Sequence, residues 1–159
     1  VKACDGQGAN RIAFKIRSLI DTKKLVTVQE SDKCFIFDWQ NECGNRAYSH
    51  NSAKFTWEEH ERWFARLSDE QRSMFFIIRL GGLRCGFVRL TPVFYGLYII
   101  SIMIGKKYQG LGLAFWALTE VKCRYESKLI AEILPDNKAS LKLFKKAGFK
   151  YKSGITYKG

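Results

Sequence analysis

"YIISIMIGKKYQGLGLA", residues 98–114, joins a β-rich run to an apolar stretch through two lysines and two glycines. Tyr98 to Ile104 is dense in β-branched residues and reads as a strand. Leu113 onward is largely apolar, and the pattern predicts a helix over about residues 110–124. Glycine costs a helix about 1 kcal/mol relative to alanine, so Gly110 and Gly112 at its start call for a reason. A helix N-terminus leaves its first amide N–H groups without partners, and its dipole favours an anion there. Glycine lets the backbone approach a phosphate with no Cβ in the way, and Lys106 and Lys107 add charge at the same place. The stretch therefore reads as strand, anion cradle, helix. A tight strand-to-helix turn with no ligand is the competing reading. Neither G-x-x-x-x-G-K-[ST] nor G-x-G-x-x-G fits, because Phe115 stands where the latter needs a third glycine.

Working outward, "KLIAEIL" (128–134) is a second strand, so the segment from Ile99 to Ile133 forms one βαβ unit with parallel strands. Upstream, "SMFFIIRL" and "LRCGFVRL" flank Gly81-Gly82 and predict a hairpin, with a break at Thr91-Pro92 before the next strand. An antiparallel meander feeding a parallel pair gives a mixed sheet of α/β or α+β class. "LVTVQ" (25–29) reads as a first strand, and Ser31 and Asp32 as caps for a helix through "KCFIFDWQN". Thr56 and Glu59 make a capping box for a helix over 57–67 that places Trp57, His60, Phe64 and Leu67 on one face. Downstream, Pro135-Asp136-Asn137 turns the chain. "KASLKLFKKA" is a helix stopped by Gly148, and a short hairpin closes the chain.

The 159 residues suit one domain with a sizeable core. Residues 1–22 read as a tail or linker helix, and 23–159 as the catalytic domain. Net charge is +12, and from Lys106 onward twelve Lys or Arg face four Asp or Glu. Such an excess fits a solvated basic face, a polyanionic cofactor or nucleic acid. The basic residues are dispersed over several elements, which argues against a nucleic-acid partner. Five scattered cysteines with no C-x-x-C pair fit reduced thiols, a cytoplasmic setting and no metal site. The apolar run Val93 to Ile104 is too short to span a bilayer, so no membrane partner is expected. The first residue is Val, which reads as a processed product or a piece of a longer chain.

The cradle resembles the acetyl-CoA motif of the GCN5-related N-acetyltransferases, [RQ]-x-x-G-x-[GA], with Lys107, Gly110 and Gly112 at its three defined positions. "EILPDNKASLKLFKKAGFK" is similar to that family's C-terminal signature through Asn137, Ser140, Phe144 and Gly148-Phe149. The resemblance implies a GNAT-type mixed sheet with splayed parallel strands 4 and 5 and helices on both faces. It implies acetyl-CoA as cosubstrate. Ile102, Met103 and Ile104 would hold the pantetheine arm as an added strand, and an N–H near Met103 would stabilise the thioester oxyanion. Lys107, Gln109, Gly110, Leu111, Gly112, Leu113 and Ala114 would take the pyrophosphate. Asn137 would contact pantetheine, and Phe144 would lie near the thiol. Family members often carry Tyr at the position of Phe144, where it protonates the leaving thiolate. Here Ser140 or Tyr151 would replace it, or the thiolate would leave unassisted. Glu132, on the strand lining the gap, is the first candidate for the base, through a pKa raised by burial. Glu42 and His50 are weaker candidates, and His60 reads as structural.

On the acceptor side, "WQNECGNRAYSHNSAKFTWEEHERWF" is similar to a subset of the family acting on amino-sugar nucleotides in pseudaminic-acid-type surface-sugar synthesis. That implies Arg46 and Arg89 on nucleotide phosphates, and Trp39 or Tyr48 stacked on a sugar or base. "DGQGANRIAFKI" resembles the end of the nucleotide-sugar hydrolases of the same pathway, which implies fusion or association with one. The alternatives are a protein N-terminal acetyltransferase of ribosomal-protein type and a non-catalytic acyl-CoA-binding module.

Overall fold

A computed structural model describes residues 22–42, 53–125, 128–152 and 156–158. The side chains of 151, 152 and 156–158 lie outside this description, as do Arg46, Tyr48, His50 and the segment proposed as a tail or linker.

The elements run β1 (Lys23–Thr27), a 3-10 turn (Glu30–Asp32), α1 (Lys33–Asn41), α2 (Trp57–Ala65), α3 (Asp69–Ser73), β2 (Phe75–Leu80) and β3 (Leu83–Phe94). There follow β4 (Leu97–Ile104), a 3-10 turn (Lys106–Tyr108), α4 (Leu113–Arg124), β5 (Lys128–Glu132), α5 (Lys138–Lys146), β6 (Lys150–Lys152) and β7 (Thr156–Lys158). They form one seven-stranded sheet in the order β1-β2-β3-β4-β5-β7-β6. All neighbours are antiparallel except β4 and β5, which run parallel as the βαβ reading requires. Among the described residues no helix is long and apolar enough to cross a membrane.

Alternation along the strands sends side chains to two cores. On one face Phe75, Ile77 and Phe87 pack against Ile36 and Trp39 of α1 and Phe64 of α2. On the other, Phe76, Ile78, Val88, Leu90 and Ile100 pack under Leu113, Ala117, Leu118 and Val121 of α4 and Phe144 of α5. Phe64, Phe75, Ile36 and Ile77 are fully buried. Each such side chain contributes about 1.5–3 kcal/mol by leaving water.

Local chemistry accounts for most boundaries. Thr56 Oγ1 accepts from Glu59 N–H (3.2 Å) and the Glu59 carboxylate accepts from Thr56 N–H (2.9 Å), closing the expected capping box. Ser68 and Gln71 repeat it for α3, a helix the sequence reading missed. α5 ends as foreseen at Gly148 (φ 82), with Phe149 N–H bonded to Phe144 O and Gly148 N–H to Lys145 O. This paired bonding satisfies the carbonyls left over at a helix end. β1 lies two residues earlier than expected.

Two expectations fail. Asp32 does not cap α1, because its carboxylate, wholly buried, accepts from Gln29 N–H and pairs with Arg84 and Arg79. Pro92 does not end a strand, because β3 runs through it to Phe94. β2 pairing stops at Phe75–Arg89, so beyond that point β3 has a strand on one side only, and a β-bulge lies between Pro92 and Phe94. Edges and bulges are where a residue without an N–H is tolerated in a sheet.

Candidate active site

β4 and β5 pair only over Leu97–Ile99 and Lys128–Ile130. On its other edge β5 is joined to β7, with Ile130 facing Lys158, Ala131 facing Tyr157 and Glu132 facing Thr156. The C-terminal half of β4, Ile100 to Ile104, therefore has β3 on one side and no β5 partner on the other. A cleft of about 800 Å³ opens beside this half-strand. Its walls are Ile102 to Ile104, Tyr108 to Gly110, Gly112 to Phe115, and Asn137, Ala139, Ser140, Leu143 and Lys146.

The two glycines of the expected cradle line the cleft while Lys106 and Lys107 do not, and one boundary is corrected. Gly110 and Gly112 do not lie within the helix. They precede it with φ of 81° and 73°, and α4 starts at Leu113. Positive φ costs other residues about 1–2 kcal/mol and glycine nothing. A Cβ on either glycine would point into open space, so the requirement is conformational and the space above the loop stays clear. Trp116 N–H is the first to bond backwards along the helix, to Gly112 O at 3.1 Å. The amides before it, those of Leu113, Ala114 and Phe115, point out of the helix end into the cleft wall.

Of the residues expected at the cofactor, Ile102, Met103, Ile104, Gln109, Gly110, Gly112, Leu113, Ala114, Asn137 and Ser140 line this cleft. Asn137 Oδ1 accepts from Ser140 N–H at 3.0 Å, so it caps α5 as well as facing the cleft. Lys107 and Leu111 are exposed outside the lining. Phe144 is not at the cleft. It is 3% exposed and packed edge-on against Phe149, ring centroids 4.9 Å apart, because it falls on the apolar face of an amphipathic helix. Lys146 is the cation that does line the cleft, held over the Phe115 ring at 4.7 Å. It stands inside the recognised C-terminal signature, between Phe144 and Gly148, at a position to which the signature assigns no role.

Glu132 is exposed at the end of β5 and lies outside the cleft lining, so the burial that was to tune it as a base is absent. Leu129 and Ala131 take the core-facing positions of this short strand, and alternation turns Glu132 away from them. Glu42 accepts a hydrogen bond from Lys106 N–H at 3.0 Å, tying the end of α1 to the turn after β4.

A second pocket of about 360 Å³ lies on the α1–α2 face, lined by Gln40, Ala53, Lys54, Phe55, Glu59, His60, Trp63 and Arg89. Arg89 sits opposite Ser101 of β4, two residues along from the Phe87–Met103 pair. Arg89, Ser101 and Met103 thus share a sheet face, and Met103 also reaches the cleft lining. His60 is buried and bonded through Nε2 to Lys33 O at 2.9 Å, the structural role expected of it. Burial lowers its pKa below the ordinary value, so the ring is neutral and Nε2–H is the donor. Trp39 does not reach this pocket. At 6% exposure it packs beside Phe87 and under Gly105, where an added Cβ would come within 2.6 Å of its Nε1.

A strand left half-paired beside a glycine-opened helix end defines a site for an extended ligand with an anionic end. The acetyltransferase (GNAT) family pattern matches residues 34–149, and the chain belongs to that family. It is an acetyltransferase, and acetyl-CoA is the acyl donor of the family. The fold is similar to that of spermidine N-acetyltransferase from Vibrio cholerae in complex with CoA and spermine (TM-score 0.74, 15% identity, 86% of this chain and 91% of that one). It is similar to aminoglycoside acetyltransferase AAC(6')-Ib in complex with coenzyme A (TM-score 0.72, 14% identity, 87% and 94%). An N-acetyltransferase from Staphylococcus aureus Mu50 aligns at TM-score 0.66 with 21% identity over 87% and 98% of the two chains. No curated protein matches the sequence.

Proposed function

We propose that this enzyme transfers acetyl directly to a primary amine, and that the acceptor is a 4-amino sugar carried on a nucleotide. The observation that carries direct transfer is the half-paired strand β4, which has the cleft at its open edge and the Arg89 pocket toward one face. Two substrates can approach one strand from different sides without exchanging places.

The cleft fits acetyl-CoA. The open edge of β4 along Ile102 to Ile104, opposite β3, would hold an extended amide-bearing arm as an added strand. Gly110 and Gly112 keep the pyrophosphate position open, the amides of Leu113 and Ala114 face it, and Lys146 supplies a cation at the wall. Acetyl-CoA supplies the activated thioester. The thioester oxyanion is assigned to an N–H beside Met103, that of Ile102 or Ile104, because Gly105 N–H bonds to Cys85 O and the antiparallel alternation then commits the Met103 N–H to β3. Ser140 is the cleft hydroxyl nearest in role to the acid that Phe144 cannot be. Of the acceptor residues, Arg89 lines the pocket and Trp39 is spent on the core, while Arg46 and Tyr48 lie outside the described residues. Support for a nucleotide-linked sugar is the resemblance of the loop between α1 and α2, together with a cation in the pocket wall. The match at residues 5–13 supports a hydrolase partner or fusion for the same pathway.

Thiol release from acetyl-CoA, measured against a UDP-4-amino sugar and against N-terminal peptides, tests the acceptor. Saturable turnover of the sugar nucleotide is expected. Turnover of peptides alone would transfer the assignment to protein N-termini, and CoA binding with no turnover of any amine would make the chain a binding module.

A further inference from the structure

The α1–α2 pocket contains a charge that the fold itself does not answer. Arg89 is a strand residue whose Nε is buried and has no hydrogen-bond partner. No ion pair to it exists among the described residues, whereas Arg84 and Arg79 on the same hairpin pair with Asp32. Its guanidinium lies by the rings of Trp63 (5.4 Å) and Phe75 (5.8 Å). Rings occupy the flat face of a guanidinium but leave its N–H edge unsatisfied. Burial costs such a cation heavily unless an anion completes it. Desolvation also pulls Arg89 below its usual pKa, with no opposing charge to restore it.

Among the described residues, the rest of the lining adds no carboxylate that could do so. Glu59 is the one acidic residue described there, exposed and bonded to Thr56 N–H. Lys54 adds a second cation and His60 is neutral. A pocket made to take a polyamine or an aminoglycoside needs the opposite balance, carboxylates facing several ammonium groups.

We infer that Arg89 is a specificity residue that selects acceptor amines bearing an anionic oxygen group, phosphate or carboxylate, and disfavours polycationic amines. A planar guanidinium edge matches two oxygens of either group, and such bonds are charge-assisted. The inference rests on reading this pocket as the acceptor site, and it is independent of the acceptor being a sugar nucleotide. It separates this chain from the spermine-bound and kanamycin-bound structures with the same fold.

The test is thiol release from acetyl-CoA with matched acceptors. One pair is the UDP-4-amino sugar and the uncharged methyl glycoside of the same amino sugar. Another is an α-amino acid and its amide. Spermidine and kanamycin form the polycation arm. In at least one pair the anionic member should have a kcat/KM at least about tenfold higher, the scale of one charge-assisted contact. Arg89→Met should raise that acceptor's KM by about the same factor while leaving the KM of acetyl-CoA unchanged, and Arg89→Lys should recover part of the loss. Polycations outranking every anionic acceptor, or an unchanged acceptor KM in Arg89→Met, would overturn the inference. If the amino acid is turned over in an Arg89-dependent way and the UDP-sugar is inert, the inference stands and the sugar-nucleotide reading falls. Calorimetric titration of the CoA-saturated enzyme with UDP, and with an N-acetylated amino acid, gives a readout free of turnover. Heat is expected with one of them and not in Arg89→Met, and heat with neither counts against the inference.

Discussion

His60 and Arg89 line the same pocket and meet burial in opposite ways. His60 answers it by staying neutral and giving Nε2–H to the Lys33 carbonyl. Arg89 cannot lose its charge at working pH, so its edge is left for a ligand. The His60 arrangement makes stability depend on pH with a definite sign. Burial holds its folded pKa below the ordinary 6.5, so below about that pH the unfolded chain binds a proton the folded chain does not. The contribution is intact above the unfolded value and drains away as pH falls toward the folded one, by at most about 1.4 kcal/mol per pH unit. Urea midpoints should drop between pH 7.5 and 5.5, and His60→Gln should flatten that drop. An equal drop in the variant would place the pH dependence elsewhere. The structural reading of His60 was legible from its helical spacing to Trp57 and Phe64. The opposite was true of Trp39, whose aromatic ring suggested stacking on a ligand and whose fate was set by Gly105 lying against it.

At the scale of elements, the loop before α4 shows what a short motif can and cannot say. The two glycines and the charge pointed to an anion cradle, and both glycines adopt the positive φ that only a loop ahead of the helix requires. The boundary was misread because an apolar run does not reveal where α4's first turn begins. Positive φ at Gly112 decides that, with α4 starting one residue later. Gly112→Ala should therefore act through this loop. The strain of about 1–2 kcal/mol would raise the KM of acetyl-CoA roughly 5- to 30-fold and leave the acceptor KM little changed. Equal effects on both would mean that the loop serves the acceptor as well. α5 carries the same lesson in another form. The N-x-x-[AS] spacing marked Asn137 and Ser140 as neighbours of the ligand, and the structure adds that the pair first closes the helix end. Phe144 was placed at the thiol by resemblance alone, whereas its position on the apolar face of α5 takes it into the core.

Across the whole molecule, the sheet separates two cores, and β5 pairs with β4 only as far as Ile99 and Ile130. Among the described residues the cleft lining contains no cysteine, and Cys85, buried in the core, has its thiol pKa raised by desolvation. A buried neutral thiol is a poor acyl carrier. Initial-rate patterns should accordingly intersect, as for a ternary complex, and CoA should compete with acetyl-CoA but not with the acceptor. Parallel lines, with an acetylated enzyme trapped in the absence of acceptor, would contradict direct transfer.

The sequence by itself determined the order of the strands and of the longer helices, the two hairpins, the parallel pair and the glycine loop before α4. Each of these is written in local signals, such as alternation, capping pairs and glycine turns, that act over a few residues. Only the tertiary structure decided which side chains face the ligands. Glu132 was turned outward because Leu129 and Ala131 took the core-facing positions of β5, Trp39 was buried under a glycine sixty-six positions away in sequence, and Lys146 was brought to the cleft by α5. Arg89 has no counter-ion among the described residues, since the buried carboxylate of Asp32 sits at the other end of the hairpin with Arg84 and Arg79. These outcomes depend on contacts between distant segments, and on how charge is shared once water is excluded, which no window of sequence contains.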